Sequence, residues 1–131
     1  MTVFSFFSGS GMLDLGFEES NFSIDFVNEF SSEFLAAYEF SRMRLGKRPP
    51  KYGYWNTDVT EYLYERKTEL QSYLIDARKE NDLIGFIGGP PCPDFSVGGK
   101  NKGRDGDRGK LSLTFVELLV EMKPDFFYLK M

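Results

Sequence analysis

Apolar residues of the chain fall into short runs that alternate with longer segments of helical periodicity. Runs of about five are typical of buried strands, and apolar residues three or four apart are typical of amphipathic helices. The predicted strands are residues 3–7, 23–27, 52–56, 83–87 and 125–129. The predicted helices are residues 12–19, a segment from Ser31 or Ser32 to Gly46, residues 62–80 and residues 111–123. This alternation predicts an α/β fold with a parallel sheet and right-handed crossovers.

Candidate binding or catalytic residues follow four of these strands. A glycine turn at residues 8–11 follows the first, Glu29 the second, Asp58 the third and Cys92 the fourth. The carboxyl ends of parallel strands share one edge of a sheet, and ligands bind there, so these features are expected to converge. An acid about twenty residues beyond a glycine turn holds ribose hydroxyls in dinucleotide folds. Three of these features also have a purely structural interpretation. The glycine turn can be an ordinary tight turn, Glu29 an exposed acid at the end of a strand, and Asp58 a helix N-cap.

The segment around Cys92 is stiff. Gly88 and Gly89 end the fourth strand, and Pro90, Pro91 and Pro93 restrict the backbone on both sides of the thiol. A rigidly mounted thiol suits a nucleophile. The alternative is a small buried apolar residue, as free cysteines often are.

The amino-acid composition excludes several classes of structure and site. The chain has 131 residues, enough for one modest domain, and 41% are hydrophobic. One cysteine excludes an internal disulfide and suits a reducing cytoplasm, and the absence of histidine removes histidine-based catalysis and metal sites. The net charge of −4 does not indicate a nucleic-acid surface. No signal peptide or membrane-spanning run is apparent.

Residues 97–110 form a glycine-rich segment with charges of alternating sign. We expect that it forms no packed element and that it is a candidate lid. Its cations could meet a phosphate backbone; they are Lys100, Lys102, Arg104, Arg108 and Lys110.

Two motifs resemble the cytosine-5 DNA methyltransferases. Phe-Phe-Ser-Gly-Ser-Gly-Met-Leu-Asp-Leu-Gly-Phe-Glu, at residues 6–18, is similar to the S-adenosylmethionine loop of that family. Gly-Gly-Pro-Pro-Cys-Pro-Asp-Phe-Ser, at residues 88–96, resembles its catalytic loop. The family often has Asp at the position of Ser5 and Gly at that of Met12, and usually has Gln at that of Pro93.

The resemblance implies a Rossmann-like S-adenosylmethionine-dependent methyltransferase fold with strand order 3-2-1-4-5, truncated after about five strands. Residues 1–131 would be the N-terminal part of the catalytic domain, with a cofactor loop at 5–19 and a catalytic loop at 88–110. A target recognition domain would be absent. The implied location is cytoplasmic, with no metal or membrane partner.

The implied activity is methyl transfer from S-adenosylmethionine to C5 of a cytosine flipped out of double-stranded DNA, in a restriction-modification system. Cys92 would form a covalent adduct with the base. The implied cofactor-binding residues are Phe7, Ser8, Gly9, Ser10, Gly11, Met12, Leu13, Glu29, Phe30, Asp58, Val59 and Pro90. The implied DNA-contacting residues are Ser96, Lys100, Lys102, Arg104 and Arg108.

One departure leaves alternatives open. The family has Glu-Asn-Val after the fifth strand, whereas Lys130 and Met131 stand there in this chain. The chain would then be a fragment, or one subunit of a split enzyme whose partner is a C-terminal methyltransferase segment. Alternatives are a non-catalytic S-adenosylmethionine-binding protein, a transfer-RNA cytosine methyltransferase and a dinucleotide-dependent oxidoreductase.

Overall fold

The computed structural model describes residues 1–91 and 107–131, except for the side chains of Asp107 and Arg108. The strands are β1 (Thr2–Phe6), β2 (Ser23–Asn28), β3 (Tyr54–Trp55), β4 (Ile84–Gly88) and β5 (Phe126–Leu129). The α-helices are α1 (Met12–Glu19), α2 (Ser32–Arg44), α3 (Lys67–Arg78) and α4 (Asp107–Met122), and a 3-10 helix spans Val59–Leu63. Strands and helices therefore alternate as predicted.

The five strands form one parallel sheet in the order β3-β2-β1-β4-β5. This confirms the expected strand order and the Rossmann-like architecture. β1 lies at the centre, with Phe4 paired to Phe26 of β2 and Phe86 of β4. The strand order reverses at β1, so its carboxyl end is the switch point at which such sheets bind ligands.

The two faces of the sheet carry different cores. One face buries stacked aromatic rings, with Phe4 5.4 Å from Phe26 and 5.7 Å from Phe86 between ring centroids. α3 and α4 cover this face with Leu70, Leu74, Phe115 and other residues. On the other face, aliphatic residues pack against Leu35 and Tyr38 of α2; they are Val3, Ile24, Val27 and Ile87.

Two predicted elements were wrong in extent. The third strand was expected over 52–56, but β3 comprises only Tyr54 and Trp55, because Gly53 has a φ of 94° that an extended strand cannot hold. The helix expected over 62–80 is divided. The 3-10 helix ends at Leu63, Tyr64 has φ −127° and ψ −93°, and α3 begins at Lys67.

The prediction for residues 97–110 was wrong at its end. α4 begins at Asp107, so residues 107–110 form its first turn, and Gly109 is buried. A residue without a side chain permits close packing at that point. Residues 97–106 lie outside the described part. Farther along α4, the predicted apolar residues Phe115, Leu118 and Met122 are buried.

In residues 1–91 and 107–131, no helix is both long and apolar enough to cross a membrane.

Candidate functional site

The turn between β1 and α1 has an unusual backbone. Phe7, Gly9 and Gly11 have φ values of 51°, 57° and 94°. Positive φ is rare for a phenylalanine, and such residues cluster at binding sites. The Gly11 N–H donates to the Ser8 carbonyl at 3.1 Å. The glycine loop, residues Ser8–Gly11, is therefore a compact turn at the switch point.

Glu29 holds this loop from the end of β2. One carboxylate oxygen accepts the Gly9 N–H at 2.7 Å, and the other accepts the Ser31 N–H at 2.9 Å. Each carboxylate oxygen has a second lone pair. Glu29 can thus stabilise the loop and still accept hydrogen bonds from a ligand.

Two asparagines connect β2 to the segment after β3. The Asn28 amide donates to the Thr57 carbonyl at 2.9 Å, and the Asn56 amide donates to the Phe30 carbonyl at 2.8 Å. Asp58 caps the 3-10 helix, because its Oδ1 accepts the Thr60 N–H at 2.9 Å. The N-cap interpretation of Asp58 is confirmed, and it does not exclude a second role.

These elements enclose a cavity of about 360 Å³, which we call the main cavity. Such a volume lies in the range of small-molecule sites. Its lining residues from the predicted set are Phe7, Gly9, Glu29, Phe30, Asp58 and Val59. Residues separated by up to 52 positions in sequence, Phe7 and Val59, therefore meet at the carboxyl edge of the sheet.

The other predicted cofactor residues lie elsewhere. A smaller cavity of about 290 Å³ on the same loop is lined by Ser8, Ser10, Met12 and Leu13, together with Lys130 and other residues. Gly11 contacts the ring of Tyr38. Pro90 is buried and does not line the main cavity, whereas the exposed Pro91 does.

Sequence reasoning missed several residues of the main cavity: Asn28, Ser31, Phe34, Thr57, Gly89, Pro91 and Leu111. Phe34 is 56% exposed and Phe30 is 73% exposed. The sequence carried a signal for Phe34, which falls outside the buried stripe of Leu35, Tyr38 and Arg42 on α2. An aromatic residue beside a buried stripe, close to a predicted binding acid, is a candidate ligand contact.

A buried polar cluster lies behind the loop. Asp14 of α1 is fully buried and accepts hydrogen bonds from the Ser5 hydroxyl at 2.7 Å and the Tyr38 hydroxyl at 2.6 Å. Burial raises the pKa of Asp14 to about 6, although both hydrogen bonds and Arg42 oppose the shift. Burial and the Asp14 charge raise the pKa of Tyr38, and burial lowers the pKa of Arg42. Where the resembled family often has Asp at position 5, Ser5 here donates to a carboxylate from α1.

The predicted nucleophile and DNA contacts are not described. Cys92, Ser96, Lys100, Lys102 and Arg104 lie outside the described residues, and only the backbone of Arg108 is described, within α4. Pro91 immediately precedes Cys92 and lines the main cavity. Among residues 1–91 and 109–131, no group of three or more acidic, cysteine or histidine side chains could hold a metal ion.

Comparison with known proteins identifies relatives over nearly the whole chain. The family model for C-5 cytosine-specific DNA methylase matches residues 1–130. Type II methyltransferase M.NmeDI of Neisseria meningitidis serogroup C is 54% identical over 95% of this chain and 30% of its own length. Type II methyltransferase M.MthTI of Methanothermobacter thermautotrophicus is 34% identical over 97% of this chain and 32% of its own length.

A solved structure agrees with these matches. It is a crystal structure described as that of a DNA modification methyltransferase encoded within a prophage (E. coli), with 26% identity and a TM-score of 0.60. The match covers 97% of this chain and 30% of that one. The chain thus spans about a third of the length of these relatives.

Proposed function

The chain belongs to the C-5 cytosine-specific DNA methylase family, and from this premise we propose that it forms the cofactor-binding part of a DNA cytosine-5 methyltransferase. The donor is S-adenosylmethionine, and the acceptor is C5 of cytosine in double-stranded DNA. The names of its Type II relatives favour an enzyme of a restriction-modification system.

One observation supports this proposal: the main cavity is lined by Gly9 of the glycine loop, by the two acids Glu29 and Asp58, and by the residue before Cys92. Glu29 would accept hydrogen bonds from the ribose hydroxyls and Asp58 from the adenine amino group. Asp58 Oδ1 already bonds Thr60, and a carboxylate has further acceptor sites. Phe30 and Val59 would supply apolar contacts for the adenine ring. A cavity with a mainly apolar lining and a few acceptors suits an adenosyl group.

When bound, S-adenosylmethionine supplies its sulfonium methyl group as the electrophile. The Cys92 thiolate would form a bond to C6 of the flipped cytosine, and the ring electrons would then make C5 nucleophilic. C5 would take the methyl group as the methyl–sulfur bond breaks, which leaves the neutral thioether S-adenosylhomocysteine. C5 would then lose its proton to a base, and the thiolate would leave as the C5–C6 double bond forms again. The remaining two thirds of the relatives' length would supply DNA recognition, in a C-terminal segment or a second subunit.

Calorimetric titration with S-adenosylmethionine tests the cofactor half, with NAD as the control ligand. Because Glu29→Ala removes acceptors for both ribose hydroxyls and for the loop, it should weaken binding about 100-fold. Glu33→Ala is a matched control, because Glu33 is an exposed acid in the first turn of α2 and does not line the main cavity. Equal losses in the two variants, or preferential binding of NAD, would contradict the proposal.

Methyl transfer tests the catalytic half. The chain would be mixed with the C-terminal part of M.NmeDI, and labelled methyl transfer to DNA would be measured, with transfer RNA as the alternative acceptor. We expect transfer to DNA that Cys92→Ser abolishes without changing affinity for S-adenosylmethionine. A Cys92→Ser mixture as active as wild type would rule out the assigned nucleophile.

A second candidate is cofactor binding without catalysis. The position of Lys130 favours it. The Lys130 N–H donates to the Gly88 carbonyl at 2.8 Å, so this residue lies beside the end of β4. The resembled family has a glutamate at this position. If Lys130→Glu gains methyl transfer in the mixture while wild type has none, the natural chain is a cofactor-binding protein.

A further inference from the structure

Asp14 is a buried acid that the proposed chemistry does not use. It is fully buried, lines neither of the two loop cavities, and its hydrogen-bond partners are the hydroxyls of Ser5 and Tyr38. Burial of a carboxylate against neutral hydroxyls is costly, and the raised pKa of about 6 reflects that cost. The nearest cation, Arg42, is instead paired with Glu18 of α1.

Tyr38 connects this acid to the glycine loop. A Cβ atom on Gly11 would lie 2.8 Å from two atoms of the Tyr38 ring, so the ring is in direct contact with the loop backbone. Arg42 lies against the same ring, with its guanidinium carbon 5.1 Å from the ring centroid. Tyr38 is thus held by its hydroxyl at Asp14 and by its ring between Arg42 and Gly11.

The other end of the loop is held independently. Ser8 N–H donates to the Asn28 carbonyl at 3.2 Å, and Gly9 N–H donates to Glu29. The loop is therefore secured at Gly9 by the proposed ribose acid and at Gly11 by a ring whose position depends on Asp14.

We propose that Asp14 is a positioning residue that holds the Tyr38 ring against Gly11 and so keeps the glycine loop in the shape that receives the cofactor. This deepens the proposed function and rests on it for the identity of the ligand. Asp14 and Tyr38 need not touch S-adenosylmethionine. Their effect reaches it through the backbone of residues 8–11.

Three variants and a matched control test this role. Tyr38→Phe keeps the ring and removes the hydroxyl, and Asp14→Ala removes both acceptors. Asp14→Asn keeps one carbonyl acceptor for Tyr38 and is the conservative rescue. Asp25→Ala is the control, because Asp25 is a buried aspartate at the opposite end of the sheet that accepts from the Thr2 hydroxyl.

The first measurement is amide hydrogen exchange of Gly9 and Gly11 by NMR in the free chain, relative to the amides of β4. In Tyr38→Phe and Asp14→Ala, the exchange rates of the two glycine amides should rise about tenfold more than those of the β4 amides, as expected for the loss of a charge-assisted hydrogen bond. The exchange rates in Asp14→Asn should lie between those of these two variants and those of wild type. Asp25→Ala should change the exchange rates of the glycine and β4 amides alike. If the glycines and β4 accelerate equally in every variant, Asp14 is merely structural and the proposal fails.

The second measurement is affinity for S-adenosylmethionine by calorimetry. Variants in which Gly9 and Gly11 exchange faster should bind S-adenosylmethionine more weakly. Tyr38→Phe should bind it about tenfold more weakly than wild type. Wild-type affinity in a variant whose loop is loosened would overturn the link to the cofactor. A wild-type chain that does not bind S-adenosylmethionine would contradict the proposed function, whereas the exchange rates would still decide the positioning role. If Tyr38→Phe does not fold, Asp14→Ala and Asp14→Asn provide the same comparison.

Discussion

Each end of the parallel sheet buries an aspartate, but the two residues have different partners. At the amino end, Asp25 accepts from Thr2 and forms a 2.6 Å ion pair with Arg48. At the carboxyl end, the hydrogen-bond donors to Asp14 are two hydroxyls. Only Asp25 therefore has a direct cationic partner to offset the loss of hydration.

The difference indicates what each end of the sheet does. A neutralised acid beside the first residues of β1 and β2 stabilises the edge opposite the glycine loop. An acid without direct neutralisation behind that loop lowers stability beside the proposed ligand site, a cost often found near functional sites. Three predictions break or sharpen this comparison.

The largest effect is expected for Gly85→Ala in β4. A Cβ there would lie 2.1 Å from the Phe126 ring, so this ring must move from its place on β5. Overpacking of this kind should lower the free energy of unfolding by about 3 kcal/mol or more, measured by urea denaturation. Gly16→Ala is the control, because nothing lies within 4 Å of a Cβ at that position. A Gly85→Ala protein as stable as the control would show that β5 is not rigidly packed.

The next effect is a pH dependence specific to Asp14. Because burial raises its pKa from 3.8 to about 6, the folded state favours the protonated acid. The stability contributed by this proton is full below pH 3.8 and is lost as pH rises through about 6. The groups that face Asp14 are Ser5 of β1 and Tyr38 and Arg42 of α2.

Comparison of wild type with Asp14→Asn isolates this contribution. Between pH 4 and pH 7.5, the wild type should lose about 2.4 kcal/mol relative to the variant, because the carboxyl of the unfolded chain is already partly ionised at pH 4. Urea denaturation at several pH values measures this difference. A constant gap would mean that the Asp14 carboxyl has the same pKa folded and unfolded, so its burial without a direct cationic partner would carry no cost.

The smallest effect is expected for Arg48→Ala at the amino end. The Arg48 side chain is 55% exposed, so solvent screens its ion pair with Asp25. Its removal should cost about 1 kcal/mol, and added salt should reduce the difference from wild type. Arg44→Ala, an exposed substitution in the last turn of α2, is a control for a general charge effect. A much larger loss of stability would mean that the amino end of the sheet depends more on electrostatic interactions than the carboxyl end.

Much of the fold follows from local sequence patterns. Short apolar runs placed all five strands within a few residues, and alternation with helices gave the parallel sheet. The same logic brought the glycine loop, Glu29 and Asp58 to one edge, where they line the main cavity. This worked because the carboxyl ends of parallel strands coincide whatever the connecting helices contain.

The remainder depends on contacts between distant residues. Asp14 and Tyr38 are 24 positions apart, and no local pattern indicates that an acid in α1 meets a hydroxyl from α2. The break between Leu63 and Lys67 lies inside a segment with good helical periodicity. Tertiary packing decides these features, and periodicity carries no information about it.

The central position of β1 also determines how the protein folds. β1 pairs with β2, about twenty residues away, and with β4, whose partner for Thr2 is Ile84. The second pairing closes a loop of about eighty residues and must overcome its entropy before the sheet gains a core, so we expect slow, cooperative folding. During synthesis, the glycine loop would be complete within the first dozen residues and yet have no stable support until β4 has been made.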